Sequence, residues 1–413
     1  MGMDEKRPEI LCISTYEKGQ AFLREAARLG CAVTLLTVQK LADADWPKDV
    51  LAGFHTMAEG LTPREVLPVI TRMVRHTNFR RIIALDEFDL EAAALAREHL
   101  RLPGMGETAT RVFRDKLAMR ETADRAGVLV PAYFSVANHD ELWWFLQRTA
   151  TGTADDGTKT GNWLLKPRFS ASAIGIRRVH SEREVWPLLE TLGDEASWHL
   201  LETFVPGEIY HVDAISWQGE IVFSVSHKYG HPPIDTMHTG GVFTTRTLDR
   251  MGEEAMMLGG IHARVLKALG MRDGVTHTEF IRAHADGQFY FLESAARVGG
   301  AYIAEVVEAA NGVNPWAEWA RIEVALLRGE SYELPALRQE YAGSVICLAR
   351  QEEPDTSAYA DPEVVYRLRK YHHAGVLLRS KSAERIESLT ESYGRGFLDD
   401  FCTRLEPPDK PRD

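Results

Sequence analysis

Residues 289–300 read FYFLESAARVGG, and this stretch decides the fold. Phe289, Tyr290, Phe291 and Leu292 begin an aromatic, strand-like run, which Glu293 interrupts where another apolar residue would extend it. Arg297, Gly299 and Gly300 follow at once. The upstream partner is VTHTEFIRAHADGQ (residues 275–288), so the two runs form a hairpin around Ala285-Asp286-Gly287. A three-residue loop with Gly287 left-handed pairs His284 with Gln288, Ala283 with Phe289, Ile281 with Phe291 and Glu279 with Glu293. The two carboxylates then share a face with Ile281, Phe289 and Phe291, and Arg297 points towards the same centre. A two-residue Asp-Gly loop would instead put the two glutamates on opposite faces.

Like charges directly opposed on paired strands are destabilising, and burial beside aromatic rings makes ionisation costlier. Either one carboxyl is protonated or a hard cation lies between them. Oxygen donors at this density suit Mg²⁺ or Mn²⁺. A cation between carboxylates with an arginine nearby is an arrangement suited to phosphoryl chemistry.

Three further segments interrupt ordinary patterns. Lys166 ends the strand WLLKP ahead of the loop RFSASAIG, where Ser170, Ala171, Ser172 and Ala173 are small enough for backbone N–H groups to approach an anion. Glu202 breaks an apolar strand in LLETFVPGE. Lys116 lies in FRDKLAMRETADRAGVLVP, which reads as one amphipathic helix closed by Gly127 and Pro131. Taken alone, each lysine is as well explained by solvent exposure and Glu202 by a surface strand end.

The rest of the chain supplies the frame. Residues 9–38 read strand, helix, strand, a βαβ unit with no GxGxxG fingerprint in its STYEKGQ turn. The strand RRIIALDEFD leads into the helix LEAAALAREHL. The polar segment TATGTADDGTKTGN (149–162) reads as a mobile surface connection. EIYHVDAISW and EIVFSVSHKY form an antiparallel pair across Gln218-Gly219, and the loop GHPPIDTMHTGGVF follows. At 413 residues the chain is too long for a single core. The expected fold is α/β, with α+β character in its centre. Its expected parts are an N-terminal parallel-sheet domain (1–105), a compact β unit with linking helices (106–204), a unit carrying the paired glutamates (205–330) and a C-terminal α/β extension (331–413).

Bulk properties exclude other classes. A net charge of −12 argues against nucleic-acid binding, which needs a basic stripe. No apolar run reaches the ~18 residues of a membrane span, and the charged N-terminus does not read as a secretory signal. Four scattered cysteines without CxxC spacing read as free thiols of a reducing cytoplasm.

The ordered set FRDKLAMRETADRAGVLVP, LLKPRFSASAIGI, LLETFVPGE, HTEF and LESAARVGG resembles the ATP-grasp superfamily over roughly residues 75–320. Within it, the chain is most similar to the carboxylate–amine ligases, which include amino-acid ligases, and to biotin-carboxylase-like proteins. The resemblance implies ATP and Mg²⁺ or Mn²⁺ as cofactors, with Glu279 and Glu293 holding the metal. Lys116, Lys166 and the Ser172 loop would contact phosphates. The backbone of Thr203 and Val205, with Phe204 between them and Glu202 beside N6, would read adenine, and Glu208 the ribose. Arg297 would be the catalytic group at the substrate carboxylate, with the Gly300 amide as a further anion donor. His231 and His238, in the acceptor loop, would shape the substrate pocket.

The implied reaction activates a carboxylate as an acyl phosphate and joins it to an amine, with the unit around 130–203 closing as a lid. The implied partners are small-molecule carboxylate and amine substrates, not nucleic acid or membrane, with a homodimer as the candidate assembly. Two alternatives stay open: a carboxylase-type enzyme using carboxyphosphate, and a catalytically silent ATP-binding regulatory protein. The sequence departs from the family pattern twice. Serines and alanines replace glycines in FSASAIG, and Ala295 stands where asparagine commonly supplies a metal ligand, which leaves the second metal site weaker or completed by water.

Overall fold

The computed structural model describes residues 7–171, 174–232 and 240–403. Three sheets organise them. The first is parallel, in the order β3-β2-β1-β4, and comprises β1 (Glu9–Ser14), β2 (Ala32–Val38), β3 (Gly53–Met57) and β4 (Phe79–Ala84). β1, β2 and β4 are largely buried, mostly apolar runs between helices α1 (Gln20–Arg28), α2 (Pro63–Val74) and α3 (Leu90–Leu100), as a parallel sheet requires, while the edge strand β3 buries only Met57. Trp316, Trp319 and Ala320 of a later helix join the same hydrophobic core, so this unit packs directly on the rest of the chain.

Helices α4 (Glu107–Arg111) and α5 (Lys116–Arg125) follow. The single helix expected here is broken because Asp115 caps α5, its carboxylate accepting the Leu117 N–H at 3.1 Å. Lys116 is therefore the first residue of its helix.

The second sheet holds β5 (Tyr133–Ser135), β6 (Gly152–Thr153), β7 (Lys159–Pro167), β8 (Arg177–Ser181) and β9 (His199–Thr203), covered by α6 (His139–Thr149) and α7 (Glu182–Leu192). Trp163 is fully buried at its centre. The polar segment 149–162 is a hairpin in which Gly152 pairs with Thr160, rather than an irregular connection.

The third sheet has eight strands in the order β14-β13-β10-β11-β12-β15-β17-β16. They are β10 (Gly207–Trp217), β11 (Glu220–Tyr229), β12 (Phe243–Thr247), β13 (Gly274–Ala283), β14 (Phe289–Ala295), β15 (Tyr341–Leu348), β16 (Val364–Arg367) and β17 (His373–Ser380). Gln218 and Gly219 join β10 to β11 with φ of 54° and 88°, the two left-handed residues of a type I′ turn. Helix α8 (Glu253–Leu269) covers one face, and α9 (Ile303–Asn311), α10 (Pro315–Arg328) and α11 (Ala383–Asp400) complete the packing. β15 hydrogen-bonds to β12, so the segment after residue 331 continues this sheet.

Candidate active site

The decisive hairpin places Glu279 directly opposite Glu293. It reaches that pairing by a different route from the one expected. Ala283 donates its amide to Gln288 O at 2.9 Å, which makes the loop four residues long. Phe280 then pairs with Phe291, Ile281 with Tyr290 and Arg282 with Phe289. A bulge at Leu292 adds the missing residue and restores Glu279 to Glu293. The companions of the carboxylates change accordingly. Phe280, Phe289 and Phe291 pack on the far face under α8, while Ile281, Tyr290 and Leu292 cluster on the near face. Ser294 also faces away, its hydroxyl 2.8 Å from that of Thr278.

The opposed charges are met by separate partners. Lys116 Nζ lies 2.9 Å from Glu293 Oε2 and also donates to Ser170 O. Tyr229 donates its hydroxyl to Glu279 Oε1 at 2.9 Å. Burial works against the Glu279 carboxylate, but His277, Tyr229 and Arg297 outweigh it and hold its pKa below 4.5. Hard carboxylate oxygens on neighbouring strands, flanked by a lysine at the start of α5, fit a divalent cation carrying a polyphosphate.

Behind this pair the sheet is unusually polar. One row across four strands runs His227, His211, Glu279, Glu293, and the next runs Val225, Asp213, His277, Ala295. Asp213 accepts from His211 Nδ1 at 2.7 Å and from His277 Nδ1 at 2.9 Å, and His211 Nε2 lies 2.8 Å from Thr245 Oγ1. Burial drives the His211 pKa down to about 3. At His277 burial opposes the charge, yet Asp213 and Glu279 overcome it and raise the pKa to about 9.

Lys166 and Glu202 meet deeper in the molecule. Glu202 is 1% exposed and bonded to Lys166 Nζ, with Arg120 Nη2 at 3.0 Å from its other oxygen. Burial disfavours this carboxylate, but Arg120 and Lys166 together keep its pKa below 4.5. Arg120 also donates to Leu292 O, the carbonyl of the bulge, and so ties the small sheet to the strand of Glu293.

The remaining expected residues are spread around this centre. The Thr203 amide is donated to Ala132 O and the Phe204 amide to Asn162 O, both at 2.8 Å. The Arg178 guanidinium stands 4.7 Å from the Phe204 ring centre. Val205 packs beside Ile209, Tyr229 and Ile281. Glu208 is half exposed and paired with Lys228 at 2.6 Å. Arg297 does not bond to either glutamate. It binds Glu87 Oε2 through Nε and Nη2 at 3.1 and 2.7 Å, and Val298 O through Nη1 at 2.8 Å. These bonds use three of its five N–H groups. A side chain at Gly300 would meet no described atom within 4 Å, whereas one at Gly299 would lie 2.9 Å from His277 Nδ1. Ser172 and His238 lie outside the described residues.

Of the expected site residues, Lys116 and Glu293 line a small cleft with Glu87, Arg114, Ser170 and Ala295, from four distant segments, whereas Glu279, Arg297 and Lys166 are not among its lining residues. A groove of about 560 Å³ between α5, β5 and α6 contains none of the expected residues. Sequence reading missed Glu87, Arg120, Tyr229, Asp213 and His277. For His277 the signal was present, since it stands two residues before Glu279 and so shares its face.

The sequence matches no protein-family model and no curated protein. Among solved structures it is similar to the L-amino acid ligase from Bacillus licheniformis, with a TM-score of 0.70 and 20% identity over 97% of this chain and 99% of that one. It is also similar to N5-carboxyaminoimidazole synthetase from Staphylococcus aureus in complex with ADP (TM-score 0.67, 15% identity, 94% and 96% covered). A third is the biotin carboxylase domain of the Hydrogenobacter thermophilus 2-oxoglutarate carboxylase, a dimer with MgADP and bicarbonate (TM-score 0.69, 14% identity, 95% and 90% covered). The chain has the ATP-grasp fold that its ordered motifs implied.

Proposed function

We propose that this chain is an ATP-dependent carboxylate–amine ligase forming an amide and releasing ADP and phosphate. The observation that carries the reading is Glu279 opposite Glu293 with Lys116 on Glu293, next to an arginine with N–H groups to spare. Similarity over nearly the whole length of an L-amino acid ligase supports it. Glu279 and Glu293 would hold Mg²⁺, which supplies charge neutralisation on the phosphates when bound. Lys116 would leave Glu293 for a phosphate oxygen, and Lys166 would reach a phosphate from the floor of the small sheet. The Ser172 loop would cover the phosphates. The Thr203–Val205 backbone would seat adenine with Glu202 behind it, and Glu208 would meet the ribose hydroxyls.

In the first step a substrate carboxylate oxygen attacks the γ-phosphorus and the bond to the β,γ-bridging oxygen breaks, giving acyl phosphate and ADP. In the second an amine attacks the acyl carbon, phosphate departs and the amine loses a proton. Arg297, braced by Glu87, would orient the carboxylate, with the Gly300 amide as a second donor and His238 in the acceptor pocket. Closure of the small sheet would exclude water from the acyl phosphate.

The domain division at 105, 204 and 330, a cytoplasmic location and a homodimer belong to the same reading. Among the described residues no helix is long and apolar enough to cross a membrane. The test is a phosphate-release screen of amino acids, singly and in pairs, with Glu293→Gln and Arg297→Ala as controls. Pair-dependent release lost in both variants is the expected result; full release in either would overturn the site. Release that depended on bicarbonate instead would favour the carboxyphosphate reaction.

A further inference from the structure

The polar rows behind the two glutamates do more than fill the sheet. Glu279 receives Tyr229 Oη at 2.9 Å, and His277 Nε2 lies 3.5 Å from the same oxygen, Oε1. His277 is itself fixed from several sides. Its Nδ1 meets Asp213 Oδ1 at 2.9 Å, Asp213 is anchored through Oδ2 by His211, and His211 is held by Thr245. Opposite it on β14 stands Ala295, small enough to leave the ring its space, and at Gly299 even one Cβ would crowd the ring. Asp213, His211 and His277 come within metal-ligating reach of one another, but Asp213 is already engaged at hydrogen-bond distances of 2.7 and 2.9 Å. The hydrogen-bonded chain Thr245–His211–Asp213–His277 therefore sets the His277 ring 3.5 Å from one oxygen of Glu279.

We propose that His277, braced by Asp213, is a positioning residue that together with Tyr229 holds one oxygen of Glu279 and leaves the other aimed at the cation. This rests on the reading of Glu279 and Glu293 as a metal pair. A carboxylate free to rotate opposite a second carboxylate would swing away from it; the Tyr229 hydrogen bond to Oε1, with the His277 ring 3.5 Å from that oxygen and 3.4 Å from the Tyr229 hydroxyl, restrains that freedom. The cation is then met by an oxygen already in place.

The test measures Mn²⁺ binding by electron paramagnetic resonance in the presence of ADP, and metal-free ADP binding separately, so that turnover on an unidentified substrate is not needed. His277→Ala is expected to weaken Mn²⁺ binding about 10- to 100-fold, the usual effect of losing a group that orients a metal ligand, and to leave metal-free ADP affinity unchanged. His277→Gln, which keeps a donor, should recover part of the loss. Tyr229→Phe, a milder change that spares the fold, should weaken Mn²⁺ several-fold by itself. If Glu279→Gln loses Mn²⁺ while His277→Ala and Tyr229→Phe bind as the parent does, the positioning role is wrong and the metal pair stands. If Glu279→Gln binds Mn²⁺ normally, the metal pair is wrong and the positioning role falls with it.

Discussion

Two of the lysine–glutamate contacts, Lys166–Glu202 and Lys116–Glu293, are built to opposite ends. Lys166–Glu202 is sealed, with Arg120 completing a triad whose carboxylate is 2% exposed. Lys116–Glu293 is open on one side, its carboxylate 34% exposed and bordering the cleft. A buried charge stripped of its partners is costly, because desolvation is no longer offset. A half-open pair is screened by water and contributes little to stability. The difference teaches that burial locks the same two residue types in place at one contact, whatever ligand that contact also faces, and leaves them free to part at the other.

This contrast can be broken experimentally. The largest effect is expected from Glu202→Ala, which leaves Arg120 and Lys166 buried without a counter-charge. Loss of about 3–5 kcal/mol, read from the urea midpoint, is the expected outcome. Glu293→Gln should change stability by no more than about 1 kcal/mol. Its ATP-dependent phosphate release should fall about 10²- to 10³-fold. If Glu293→Gln unfolded the protein as readily as Glu202→Ala, the distinction would be lost.

Acid should separate the two sites further. The Glu202 carboxyl has a folded pKa held below its ordinary 4.5. The folded state therefore binds this proton less readily than the unfolded chain. The stability it contributes is present above pH 4.5 and is lost as pH falls through the lowered value. Midpoints measured from pH 7 to pH 3 should fall more steeply for the parent than for Glu202→Gln. The smallest effect belongs to Arg24 and Asp49, an exposed pair at 3.5 Å with side chains 56% and 69% exposed. Arg24→Ala should stay within about 0.5 kcal/mol of the parent, which sets the scale for an ion pair with no role.

How far the sequence could be read depended on whether local rules governed the residue. The pairing of Glu279 with Glu293 was legible because strand period and turn length constrain register. Yet the turn was misjudged by one residue, and only the Leu292 bulge made the two routes converge. Gln218-Gly219 was read without error, since a two-residue hairpin demands left-handed residues. Glu87 was illegible as a site residue because its partner, Arg297, lies 210 positions away and no periodicity links them. Arg120 looked like any helix arginine until β9 and β14 were placed beside it. The triple-histidine cluster needed the register of three strands at once, though each HxD or HxE pair was visible in its own strand.

The continuity of the eight-stranded sheet has a practical consequence. Residues after 331 look dispensable in a linear map, well past the last expected site residue. In space they supply β15, which covers the free edge of β12, while β16 forms the outer boundary. A chain shortened at 331 would uncover the N–H and C=O groups of β12, a template on which other copies can add strands. Such a fragment is expected to aggregate rather than to yield a smaller soluble protein, even though every residue of the cleft would still be present.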